Sequence, residues 1–134
     1  MALSWFFKDE RTGESVAALR SVKQFGALVP ALWSAEVVHV LVKAEKRGRL
    51  RTEQTATALD YLRALPISVE AGGSAPSFAA LALVRRFDLS AYDAAYLEVA
   101  VNFSLPLATR DDRLASAAGT LGLRWLARRS KRSH

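Results

Sequence analysis

Short apolar runs alternate with longer amphipathic stretches along nearly all of this 134-residue chain, and that alternation limits the folds open to it. A helix is predicted over 13–25, with Val16, Leu19, Val22 and Phe25 on one face and Gly26 as its stop. Residues 27–29 read as a short strand ended by Pro30. A longer helix is predicted over 31–47, with a buried stripe of Trp33, Val37, Val40, Leu41 and Ala44 and with Gly48 as its end. A helix over 52–64 leads into a strand at 67–70. Two helices follow at about 76–87 and 91–103, then a strand at 105–109, a short helix at 112–118 and a last strand at 123–126. Strands that keep handing over to helices specify an open, parallel α/β sheet with helices on both faces. The joint Ala71-Gly72-Gly73-Ser74-Ala75-Pro76 is too short to separate domains, so 1–134 reads as a single domain.

Composition removes several chemistries. The chain has no Cys, which excludes disulfides, thiolate metal sites and cysteine nucleophiles. Its only imidazoles, His39 and His134, are too few for a zinc site. No Gly-rich phosphate loop, Ser/His/Asp set or HExxH pair is present. No apolar run approaches the ~20 residues a membrane span needs. The opening MALSWFF lacks a basic lead and is broken by Lys8-Asp9-Glu10, so it does not read as a signal peptide, and the cytoplasm is the expected compartment. The net charge of +6 favours polyanions such as RNA, DNA or an acidic protein. Arg128, Arg129, Lys131 and Arg132 crowd a basic tail at 128–134, which also reads as a merely solvated end.

Three acids stand out against this background. Glu36 follows Trp33 by three residues and precedes Val40 by four, so it projects from the side of the apolar stripe. A carboxylate there is paired, protonated or placed to bind. Asp93 stands third in a helix capped by Ser90, so a capping box and ligand binding both account for it. Asp111 follows the strand LPLAT, where open α/β sheets present their ligand crevice. Thr109 to Asp112 repeats the capping-box spacing, which assigns the cap to Asp112 and the functional role to Asp111. Carboxylates gathered from distant segments are costly unless a hard cation such as Mg²⁺ neutralises them, so the set points to metal-dependent phosphodiester chemistry. Arg110 beside Asp111 is placed either to steer phosphate or to be solvated. Trp5, Trp33 and Trp125 read as packing residues.

VPALWSAEVVHVLVKAEKRGRL and LSAYDAAYLEVAVNFSLPLATRDDRL together resemble PIN-domain ribonucleases of the VapC toxin type. The first matches the family's Pro-x-Leu-Trp-x-x-Glu helix, the second its Asp-Ala-Ala-Tyr segment followed by a strand, Ala-Thr and Asp. The resemblance implies a three-layer α/β/α fold with a central parallel sheet and an acidic pocket. It implies Mg²⁺- or Mn²⁺-dependent cleavage of RNA, a cognate antitoxin as partner, and a homodimer. Carried over by position, Glu36, Asp93 and Asp111 are the second, third and fourth pocket acids, with Asp112 as the neighbouring candidate ligand. They would hold one or two cations that orient a water and stabilise charge on the phosphate.

Two positions depart from the family. His39 stands where Asn is common, and is placed either to donate a hydrogen bond or to pack at the pocket edge. The family also opens with a strand ending in Asp-Ala-Ser, whereas MALSWFFKDE resembles the segment immediately after that Asp. A chain lacking that inner strand and first acid is expected to expose apolar surface and leave backbone groups unpaired. Two further readings stand beside the nuclease: an inactive PIN-like domain that binds RNA or an antitoxin, and a DNA-binding regulator, for which no helix-turn-helix signature is present.

Overall fold

The structure is a computed structural model and describes residues 12–71 and 77–127. The opening apolar stretch with Trp5, most of the Gly-Gly joint, the basic tail and His134 lie outside them.

Helix α1 (Gly13–Phe25) begins with reciprocal bonds that satisfy free N–H groups of its first turn. The Ser15 N–H donates to Thr12 Oγ1 at 3.0 Å and the Thr12 N–H to Ser15 Oγ at 2.9 Å. Ser15 is wholly buried. The face that α1 turns inward is Ser15, Ala18, Leu19 and Val22, not the predicted stripe: Val16 is exposed and Phe25 is 78% exposed. Leu19 and Val22 of the predicted stripe do pack against the crossover core, whereas Phe25 borders a cavity.

Gly26 ends α1 as expected, with φ +79°, and its N–H donates to Val22 O. A Cβ there would stand 3.0 Å from Pro66 O, the atom that accepts the first bond of the sheet from the Ala27 N–H. Strand β1 (Ala27–Val29) then pairs in parallel with β2 (Ile67–Val69), Leu28 opposite Ser68. Helices α2 (Leu32–Lys46) and α3 (Thr52–Ala64) form the crossover between them. Val37, Leu41, Ala58 and Leu62 make its core, with Leu19, Val22 and Trp33 packed against it. Val40, placed in the buried stripe by its spacing, is exposed.

The second half opens with a 3₁₀ turn at Phe78–Ala80, then α4 (Leu81–Phe87), α5 (Ala91–Phe103) and α6 (Asp112–Thr120). Helix α5 is strongly apolar, as a helix surrounded by others must be. Ala94, Ala95, Leu97 and Ala100 are buried along it. Ala80, Leu89, Leu114, Ala117 and Ala118 close the core around Ala94 and Leu97.

The strands predicted at 105–109 and 123–126 shrink to a single parallel bridge, Leu107 with Arg124. Leu107 donates to Leu123 O at 2.6 Å and accepts from the Trp125 N–H at 3.0 Å, so both its peptide groups point to that side. Its other side has no strand among the described residues, and Pro106 has no N–H to offer one. A cavity of about 860 Å³ is bounded by β1, residues 105–108, α1 and α5. Trp33, packed against the crossover core, and Trp125 line it, and Arg20 and Arg124 are its charged lining among the described residues. Parallel pairing and helix crossovers thus give the α/β class, with two parallel pieces set around a hollow.

Candidate active site

Each predicted acid sits at a place its element dictates. Glu36 lies in the second turn of α2, next to buried Val37, and is itself exposed. Asp93 lies in the first turn of α5 and is half-buried. Ser90 caps that helix, accepting from the Asp93 N–H at 3.0 Å. The return bond of a capping box, from the Ser90 N–H to the Asp93 carboxylate, is not formed, so the carboxylate is not spent on the cap. His39, one turn beyond Glu36, is exposed.

Tertiary packing brings the first two acids to one phenol. Tyr96 Oη donates to Glu36 Oε1, a hydrogen bond linking α5 to α2. Asp93 sits one turn before Tyr96 on the same helix face, and its charge is felt at the phenol. Burial raises the Tyr96 pKa, and the bond to Glu36 and the charges of Glu36 and Asp93 raise it further. Tyr96 therefore remains a neutral donor across the physiological range. Sequence reasoning gave Tyr96 no role. Its spacing of three from Asp93 was the signal that places it beside that acid.

Asp111 serves as the N-cap of α6: its Oδ1 accepts from the Leu114 N–H at 2.8 Å. Thr109 supports it, with Oγ1 accepting from the Asp111 N–H at 3.1 Å. This corrects the cap assignment, since Asp112 stands inside the first turn and the predicted Thr109–Asp112 box is not formed. The physical reason is that Asp111, not Thr109, holds the extended φ and ψ of a cap residue directly before the helix. Capping uses one oxygen of Asp111 and leaves Oδ2 outside that bond. Among the described residues, no three acids or imidazoles gather closely enough to hold a metal ion. Glu36 and Asp93 are assembled around Tyr96; Asp111 and Asp112 are not drawn into a three-acid group with them.

Another acid was missed altogether. Glu98, on the second turn of α5, accepts from Ser77 Oγ at 2.6 Å through Oε1. Its Oε2 is buried with no hydrogen-bond partner among the described residues. An acid set among the apolar residues Leu97, Val99 and Ala100 was the signal for it. No helix among the described residues is long and apolar enough to cross a membrane.

The donor set has the chemistry of a hard-cation site. Mg²⁺ keeps most of its water and is commonly held by one or two carboxylates, and Glu36 and Asp93 supply two. Neither sulfur nor imidazole joins them among the described residues.

Comparison with known proteins agrees with the geometry. Residues 1–120 match the PIN domain. Ribonuclease VapC3 of Mycobacterium tuberculosis is 34% identical over 108 residues, covering 80% of this chain and 77% of that protein. Ribonuclease VapC1 of the same organism is 34% identical over 109 residues, covering 80% of each chain. With that match over most of its length and those identities, the chain belongs to the PIN-domain family, among relatives of the VapC ribonuclease type.

Proposed function

We propose that the protein is a divalent-metal-dependent endoribonuclease of the VapC toxin type, acting in the cytoplasm and neutralised by a cognate antitoxin. The observation that carries this reading is the Tyr96 hydrogen bond that holds Glu36 of α2 beside the first turns of α5, where Asp93 stands one turn before Tyr96. The relatives named as ribonucleases give the reaction class. The net charge of +6 suits a polyanionic substrate. A homodimer follows from the family resemblance.

Glu36, Asp93 and Asp111 are the proposed ligands for Mg²⁺ or Mn²⁺, with Asp112 the alternative to Asp111. The bound cation would supply Lewis acidity at the scissile phosphate and a water of lowered pKa. The chain's own residues do the rest. Asp93 is oriented by the Ser90 cap, which fixes the first turn of α5. Glu36 is held through Oε1 by Tyr96, which leaves its second oxygen outside that bond. Arg110, adjoining Asp111 in sequence, is the candidate group for steering phosphate.

The test is cleavage of RNA with added Mg²⁺ or Mn²⁺, in the wild type and in Asp93→Asn. Loss of at least about a hundredfold in rate is expected, since preorganised charge at the reacting centre carries that much. Wild-type protein that leaves RNA intact with either metal would sink the enzyme. The second reading, an inactive PIN-like domain that binds RNA or an antitoxin without cleavage, would then take its place. It draws on the lack of a three-acid group among the described residues.

A further inference from the structure

Tyr96 belongs to both sides of the molecule. Its ring packs against the core of Ala80, Leu89, Ala94, Leu97 and Leu114, and borders the cavity beside Trp33 and Val99. Its hydroxyl reaches across to Glu36 on α2, a helix whose own core is a separate cluster. The ring is thus located by packing, whereas Glu36 is an exposed side chain on a helix surface. An exposed Glu samples many rotamers, and ordering it on binding is costly. A hydrogen bond from an anchored phenol removes most of that freedom in advance.

Geometry also decides which atom is held. Tyr96 engages Oε1, so Oε2 remains for a second bond. Asp93 is one turn from Tyr96 on the same helix face, so the phenol holds Glu36 of α2 beside the turn of α5 that carries Asp93.

We infer that Tyr96 is a positioning residue for a divalent-cation site: its hydroxyl holds Glu36 Oε1 so that the Glu36 and Asp93 carboxylates share one cation, without the phenol being a ligand. The inference rests on the metal-dependent reading above. It adds a residue outside the acids and makes the site depend on how the two halves of the molecule pack.

The experiment measures Mn²⁺ binding to the full chain by loss of the free-ion electron paramagnetic resonance signal, with no RNA present. Wild type, Tyr96→Phe, Glu36→Ala and the double variant form the cycle, with Glu36→Gln as a further comparison. Groups that hydrogen-bond to metal ligands change metal affinity by about 10–100-fold when removed. Tyr96→Phe is expected to weaken Mn²⁺ about tenfold in the wild-type background and to have no effect in the Glu36→Ala background. Glu36→Gln keeps an accepting oxygen for the phenol and is expected to weaken Mn²⁺ binding measurably without abolishing it, while keeping its thermal midpoint.

Wild-type affinity in Tyr96→Phe overturns the positioning role and leaves the metal reading standing. An equal loss in both backgrounds also overturns it, because the phenol would then act on the fold and not through Glu36. A wild type that binds no Mn²⁺ overturns the metal reading and the inference together. If Tyr96→Phe does not fold, Mg²⁺ titration of the wild type followed by nuclear magnetic resonance decides. Tyr96 ring and Glu36 signals shifting at one midpoint support the role, and a silent Tyr96 ring overturns it.

Discussion

The half from Phe78 to Thr120 packs around one central helix, whereas the half from Gly13 to Val69 has a smaller core and a flank open to a cavity. In the second half, alanines let α4 and α6 close on α5, and Leu97 is 0% exposed. In the first half, Leu41 is as well buried, and both halves leave large apolar residues at the surface: Val16, Phe25, Val38 and Val40 in the first, Phe78, Leu81, Tyr92 and Phe103 in the second. Apolar residues are plentiful in both. What differs is how far each helix is enclosed: α5 buries Ala94, Ala95, Leu97 and Ala100, whereas α1 buries only Ser15 and Ala18 among the described residues, although both helices border the cavity. The proposed site lies where the halves meet, with Tyr96 packed on the core of the second half and Glu36 on a surface of the first.

The largest effect should come from testing that contrast directly. Leu97→Ala is expected to cost about 2–5 kcal/mol in urea unfolding, the usual range for a large-to-small change in a closed core. Phe25→Ala, at a rim position, is expected to stay within about 0.5 kcal/mol of wild type. Comparable losses at both sites would break the comparison, because they would show the flank of α1 to be as tightly packed as α5.

Gly26 sharpens the same contrast at the backbone. Its φ of +79°, with the Pro66 oxygen only 3.0 Å from where a Cβ would stand, leaves no room for Ala without a shift. Gly26→Ala is expected to destabilise by roughly 1–3 kcal/mol, comparable to other strained backbone positions. A neutral result would mean that the β1–β2 pair can slide, and that the hollow beside it absorbs the change.

The helices and the parallel crossover were legible because their signals are local. Gly26 and Ser90 mark ends that the structure places within a residue of expectation, whereas the Thr12 cap was not singled out. The strands at 105–109 and 123–126 were legible only as apolar runs. A strand exists by pairing, and one side of Leu107 has no described strand to pair with, which no local pattern reveals. The buried face of α1 was misjudged for the same reason, since periodicity names an apolar face but not what lies opposite it. Glu36 and Asp93 could be singled out from their helix positions. Their meeting at Tyr96, 60 residues beyond Glu36, depends on tertiary contact and could not be read from spacing.

Asp111 allows capping and ligation to be separated. Asp111→Ala removes the acceptor for the Leu114 N–H and is expected to cost about 0.5–2 kcal/mol. Asp111→Asn keeps a capping oxygen, so stability should stay within about 0.5 kcal/mol of wild type. If Asp111 is also a ligand, RNA cleavage falls in both variants. Cleavage that survives in Asp111→Asn would reduce the residue to a cap and move the ligand role to Asp112.

The smallest effect concerns the bond that joins the halves. The Tyr96 phenol has a folded-state pKa above its ordinary value of 10.0, first through burial and then through Glu36. Below that value both folded and unfolded chains keep the proton, so the phenol's contribution to stability is fully present. As pH rises past 10.0 the unfolded chain loses the proton first, and stability declines. Tyr96→Phe should therefore show a shallower alkaline decline than wild type in urea unfolding on either side of pH 10.0, with no difference in slope at neutral pH. Equal alkaline slopes would mean that the phenol ionises alike in both states, and that the contact between α5 and α2 opens readily enough to leave Tyr96 in water.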